Sequence, residues 1–302
     1  MNQLHAVRAL LVLLMLSAGF LVVHPANAPA ADEYVGAQVC AGCHGDLANA
    51  YATSVHGRAG AKWTGYQGCE SCHGPGADHA SSSDPTKIRN PLKLSAKDLN
   101  EVCLGCHDRG KVALWMGSIH YARGLACTDC HSIHSGFKKY LKAGAEMDVC
   151  AKCHPDVRAE VWRSSHHPIR EGKITCSDCH NPHGAIGKKL ITASTVNEKC
   201  FECHAEKRGP FLYEHKPVVE DCTNCHVPHG SNHEKLLVRK VPWICQECHS
   251  SSRHPGTPYT LNNTQTGNVY QNVGLQGIYR ACLNCHPNIH GSNHPSGVFF
   301  TR

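Results

Sequence analysis

The chain has 302 residues, 30 Lys and Arg against 24 Asp and Glu, a formal charge of +6, and only 6% aromatic residues. Its basic side chains are scattered rather than grouped, which excludes a nucleic-acid surface built on a polybasic run. The 20 cysteines are too many for an ordinary globular domain, and the chain is too long for the usual small disulfide scaffold.

In chain order, the first element is a leader. Arg8 precedes an apolar run from Ala9 to Val23, and Ala28-Pro29-Ala30 offers small residues for cleavage. That pattern reads as a signal peptide over 1–30, because a run of this length falls short of the ~18 residues that span a bilayer. The mature chain, 31–302, is expected to be exported and soluble. No later segment is apolar enough to span.

From there the pentapeptide Cys-x-x-Cys-His recurs ten times and uses every cysteine. The motifs are Cys40, Cys43, His44; Cys69, Cys72, His73; Cys103, Cys106, His107; Cys127, Cys130, His131; and Cys150, Cys153, His154. They continue as Cys176, Cys179, His180; Cys200, Cys203, His204; Cys222, Cys225, His226; Cys245, Cys248, His249; and Cys282, Cys285, His286. Positions i, i+3 and i+4 share one face of a helical turn, so two thiols and an imidazole converge on one porphyrin. The thiols form thioethers with the haem vinyl groups, and the histidine becomes the proximal iron ligand. Zinc knuckles place no demand on the residue after the second cysteine, and disulfide frameworks have no reason to repeat a pentapeptide. Ten covalently attached haem c groups are therefore expected.

The composition agrees. Once leader and cysteines are set aside, too little apolar side chain remains to offset the ~1.5 kcal/mol that ordering each residue costs. The porphyrins are the expected core. Their propionates, about 20 negative charges for ten haems, make the holoprotein net acidic despite the formal charge of the polypeptide.

Histidine must supply most distal ligands, since Met116 and Met147 are the only methionines after the leader. The histidines repeat in a doublet of motifs. Between each odd motif and the following even one stand His56, His120, His166 or His167, His215 and His254; soon after each even motif come His79, His134, His183, His229 and His290. Five doublets thus provide ten distal candidates for bis-histidine iron. His134, His183 and His229 follow their own proximal histidine by three residues, a reach of about 10 Å. That is too short to round a porphyrin edge, so each is expected to serve a neighbouring haem. His233, His294 and one of the His166/His167 pair are left as spares.

Odd motifs follow helix-like runs such as Ser95 to Val102, Gly144 to Val149 and Ser194 to Lys199, whereas even motifs follow glycine-containing or extended approaches, including Val218 to Asp221. Short helices, many loops and almost no sheet are expected in an elongated, quasi-one-dimensional haem wire. The stretch from Thr257 to Gly277, rich in Asn, Gln, Gly and Thr, reads as a polar loop.

The runs CSDCHNPHG at 176–184, CFECHAEKRGP at 200–210, SCHGPGADH at 71–79 and CLNCHPNIHGSNHPSG at 282–297 resemble the periplasmic decahaem cytochromes of the MtrA/DmsE type. The resemblance implies a multihaem cytochrome c of two pentahaem halves, about 31–165 and 166–302. Members of that group are wires that enter an outer-membrane β-barrel. It further implies a periplasmic location and exchange with a periplasmic or inner-membrane quinol-linked cytochrome on one side and an outer-surface cytochrome or reductase on the other. No catalytic residue is expected. A free periplasmic shuttle or store is the alternative carrier role, and a multihaem reductase the enzymatic one; the latter class usually keeps an open iron, which ten complete motifs disfavour.

Overall fold

The computed structural model describes residues 34–60, 62–134, 145–249 and 282–301. The expected signal segment, the polar loop from Thr257 to Gly277 and His254 lie outside the described residues. The helices are α1 (Ala37–Cys43), α2 (Gly45–Ala52), α3 (Val55–Gly60), α4 (Glu70–His73), α5 (Ala77–Ser82), α6 (Ala96–Leu104), α7 (Ile119–Ala122), α8 (Cys127–Cys130), α9 (Ala145–Cys150), α10 (Pro155–Val161), α11 (Cys176–Cys179), α12 (Val196–Phe201), α13 (Lys216–Glu220) and α14 (Trp243–Gln246). The longest among the described residues, α6, has nine residues. Helices this short are not stable alone, so their order must come from packing.

Polypeptide packing supplies little of it. Among the described residues the buried hydrophobic side chains are Leu99, Trp115, Ala126, Ala151 and Val161, while Trp63, Trp162, Trp243 and Ile186 are exposed. Sheet is nearly absent: β1 (Ser165–His166) pairs antiparallel with β2 (Gly230–Ser231), and Tyr213 bridges Ser292 in the same manner.

The chain divides into two compact units, Met1–Ala48 with Trp63–Asn90 and Asn49–Lys62 with Pro91–Arg302. The first unit carries motifs one and two. Its organising residue is Glu70, whose buried carboxylate accepts N–H bonds from Val35 (3.0 Å), Gly36 (2.8 Å) and Gly76 (2.8 Å). Three backbone donors satisfy a charge that would be costly to bury without them.

The second unit repeats this clasp with other residues. Asn100, in α6 three residues before Cys103, donates to Leu125 O and accepts from the Cys127 N–H at 2.8 Å. Asn197 holds the same place in α12, three residues before Cys200, and accepts from the Cys222 N–H at 2.7 Å while donating to Val218 O and Val219 O. In the doublet between them, Glu146 of α9 accepts from the Ser177 N–H and hydroxyl. One side chain on the approach to each of these odd motifs thus fixes the start of the even motif beside it.

The helical approaches to Cys103, Cys150 and Cys200 form as α6, α9 and α12, with Ser95 and Thr195 capping the first and last. The approach to Cys222 departs from expectation. Val218, Val219 and Glu220 are helical rather than extended, because Pro217 sits in the first turn of α13 with its φ already fixed. Asp221 ends the helix and caps the next turn through the Thr223 N–H.

Candidate haem sites

Within each doublet the first cysteines of the two motifs lie side by side. The thiol pairs are Cys40 with Cys69, Cys103 with Cys127, Cys150 with Cys176, Cys200 with Cys222 and Cys245 with Cys282. The Cys103 thiol donates to Cys127, which holds Cys127 down to about 7 and pushes Cys103 up. Successive doublets of the second unit meet at other cysteines, with Cys130 near Cys150 and Cys153, Cys179 near Cys200 and Cys203, and Cys225 near Cys248. Consecutive motifs from Cys103 onward are therefore neighbours in space as well as in sequence.

The imidazoles come together in pairs. Proximal and distal-candidate rings face each other as His44–His79 (6.2 Å between centroids), His107–His56 (5.8 Å), His154–His120 (6.3 Å) and His131–His183 (5.9 Å). The others are His204–His167 (6.3 Å), His180–His229 (6.2 Å), His249–His215 (6.2 Å) and His226–His290 (6.2 Å). In the second unit the register is reciprocal. The histidine inside one doublet faces the odd motif of the next, and the histidine after that next doublet faces back to the even motif of the first. His120 and His183 exchange in this way, as do His167 and His229, and His215 and His290.

Each exchange is fastened by a hydrogen bond. The Nδ1–H of His120 donates to Pro182 O at 2.8 Å, that of His167 to Pro228 O at 2.5 Å and that of His215 to Ile289 O at 3.0 Å. The acceptors are the residues just before His183, His229 and His290. An Nδ1–H engaged in this way leaves Nε2 as the free donor atom. Burial also lowers His56, His131, His180, His183, His215 and His290 from the ordinary histidine range, favouring the neutral imidazole that a metal requires.

The His166/His167 pair divides its tasks. His167 faces His204, whereas His166 uses Nδ1 on Arg163 O and Nε2 on Glu171. Hydrogen bonds from Arg170 and His166 hold the Glu171 carboxyl down to about 2. His134 lies in a bend three residues after His131, and Met116 is exposed.

The donor set fits iron porphyrin. Two iron–nitrogen bonds of ~2 Å, with the offset from each nitrogen to its ring centre, require imidazole centroids about 6 Å apart. All eight pairs meet that requirement, and each has a thiol pair one and four residues upstream of its proximal ring. Glycines keep the crossings tight. A Cβ at Gly184, where φ is +122°, would lie 2.6 Å from Leu114 O, and one at Gly230 would overlap Glu160 O. These glycines and the clasps at Glu70, Asn100, Glu146 and Asn197 escaped the reading of the sequence. The recurrence of Gly directly after His183, His229 and His290 was the available signal.

Comparison with known proteins agrees with this geometry. The doubled CXXCH motif matches residues 166–209 and 215–254, and the cytochrome c-type protein NrfB-like family matches 69–147. The multiheme cytochrome MtrA of Shewanella baltica (strain OS185) is 47% identical over 209 residues, which is 69% of this chain and 62% of that protein. The match thus spans somewhat less than two thirds of the relative's length. Paired attachment motifs, short helices with almost no sheet, and these likenesses together mark the chain as a multihaem c-type cytochrome related to the MtrA and NrfB-like proteins.

Proposed function

We propose that all ten pentapeptides carry haem c, that the irons are bis-histidine, and that the chain passes electrons along the array with no bond making at iron. The single observation that supports this reading is the set of eight imidazole pairs at 5.8–6.3 Å, with their interlocking register. Bound haem would supply a one-electron couple, and a filled sixth position leaves no place for a substrate. The protein's own part is to fix distance and donor strength. Cysteines tether, imidazoles clamp, and carbonyls orient Nδ1. His134 and His254 complete the distal set.

The setting we propose is the periplasm, with a porin-like outer-membrane β-barrel as partner. Electrons would enter from a periplasmic or inner-membrane quinol-linked cytochrome and leave to an outer-surface cytochrome or reductase, or run in reverse. The likeness to the MtrA type supports this setting. Intact-mass analysis of the exported protein is expected to find ten attached haems, and electron paramagnetic resonance of the oxidised protein only low-spin iron. A count far below ten, or a substantial high-spin signal, overturns the reading. Co-purification with a barrel tests the conduit against the free shuttle.

A further inference from the structure

We propose that Glu160 is a potential-tuning residue, holding the iron between His180 and His229 at a lower reduction potential than the iron between His131 and His183. The proposal rests on the bis-histidine reading above. His229 and His183 occupy the same place in consecutive repeats, after CHVP and CHNP, and each precedes a glycine that admits a neighbouring backbone carbonyl. That carbonyl belongs to Glu160 at one site and to Leu114 at the other. The two crossings share this glycine-and-carbonyl contact, and the residue that supplies the carbonyl is Glu at one and Leu at the other.

The electronic consequence follows from what Nδ1 meets. His229 Nδ1–H donates to Glu160 Oε2 at 3.1 Å, with both side chains about two thirds buried or more. His183 Nδ1 is buried with no hydrogen-bond partner, and Trp115 stands edge-on to its ring at 6.1 Å. A carboxylate that accepts Nδ1–H draws the imidazole toward imidazolate and strengthens it as a donor to iron. Its negative charge also favours Fe(III) over Fe(II). Both effects resist uptake of the single electron that a neighbouring ferrous haem would give up in becoming ferric. Arg163 lies 4.0 Å from Glu160 Oε1 and offsets part of the charge, but it is partly exposed and also binds Gly230 O. His79, His120, His167 and His215 meet neutral carbonyls instead, whereas His229 meets an ionisable group.

The test is a spectroelectrochemical titration of full-length holoprotein, wild type against Glu160→Gln and Glu160→Leu. Glutamine keeps an oxygen acceptor for Nδ1–H, so a merely structural role predicts an unchanged titration. Tuning by charge predicts that one of the ten components moves to more positive potential in both variants, with iron remaining low-spin. A companion His229→Ala protein reports on the underlying ligation and is expected to gain one high-spin haem. Titrations that superimpose on wild type while His229→Ala does gain that signal overturn the role of Glu160 alone. Absence of the high-spin signal overturns the ligation on which the role depends.

Discussion

Even motifs are held from behind by chain that folds back over them, whereas odd motifs are held from in front by the helix that leads in. His73, His180, His226 and His286 donate Nδ1–H to the carbonyls of Arg89, Lys189, Lys235 and Phe299, each 9 to 16 residues further on. At His180 and His226 the returning chain adds a bridge, to Ile191 and Leu237. His44, His107 and His154 stand exposed and make no such bond among the described residues. The difference teaches that the doublet is one folding element: its odd half contributes a capped helix and a clasp, and its even half a return that fixes an imidazole tautomer.

The largest expected effect tests whether either arrangement survives without porphyrin. Haem-free chain, produced where attachment is blocked, is expected to lose nearly all helical circular dichroism, since among the described residues no helix exceeds the nine residues of α6 and few apolar side chains are buried. A compact haem-free form with a cooperative melt would break the comparison. Next comes Gly230→Ala on the even side, where the new Cβ overlaps Glu160 O and is expected to cost about 3 kcal/mol in denaturant unfolding. Asn197→Leu cuts the clasp between odd and even halves, leaving the Cys222 N–H and two carbonyls unmatched. A loss of about 2 kcal/mol is expected from the same measurement.

A smaller effect concerns pH. The buried imidazoles bind protons less readily in place than when released, so unfolding is favoured as pH drops below the ordinary histidine value of ~6.5. Melting followed by haem absorbance should occur at lower temperature at acidic than at neutral pH, and an unchanged midpoint would contradict the burial. The smallest effect has the opposite sign. Gly42→Ala, in the first odd motif, adds a Cβ that meets nothing within 4 Å and is expected to stabilise by about 0.5 kcal/mol.

Much of this was legible in the sequence, because chemistry demands contiguous residues for haem attachment and a helical turn brings them together. The doublet was legible from the alternating histidines, and the capped helices before Cys103 and Cys200 from Ser95 and Thr195. Reach along the chain could bar His183 from the iron of its own motif but could not choose among neighbours. Position alone also left His166 and His167 equivalent, and contacts made in the fold separate them, Pro228 O and His204 for His167 against Arg163 O and Glu171 for His166. The helical path of Val218 to Glu220 was hidden by two β-branched residues, whose preference yields to Pro217. The two halves expected from the resemblance meet at residues 165 and 166, and the ring register passes through that stretch without a break, from His131–His183 to His180–His229.

The reciprocal exchange of histidines also bears on how such chains grow. An interior doublet such as the third lends one imidazole to each neighbour and receives one from each, so a duplicated copy inserted beside it would find these obligations met by its new neighbours. In the first doublet the odd motif instead pairs within its own doublet, His44 with His79, while His56 faces His107 of the second. Under the bis-histidine ligation proposed above, lengthening by whole doublets would leave two imidazoles for every iron, while adding a single motif would strand one.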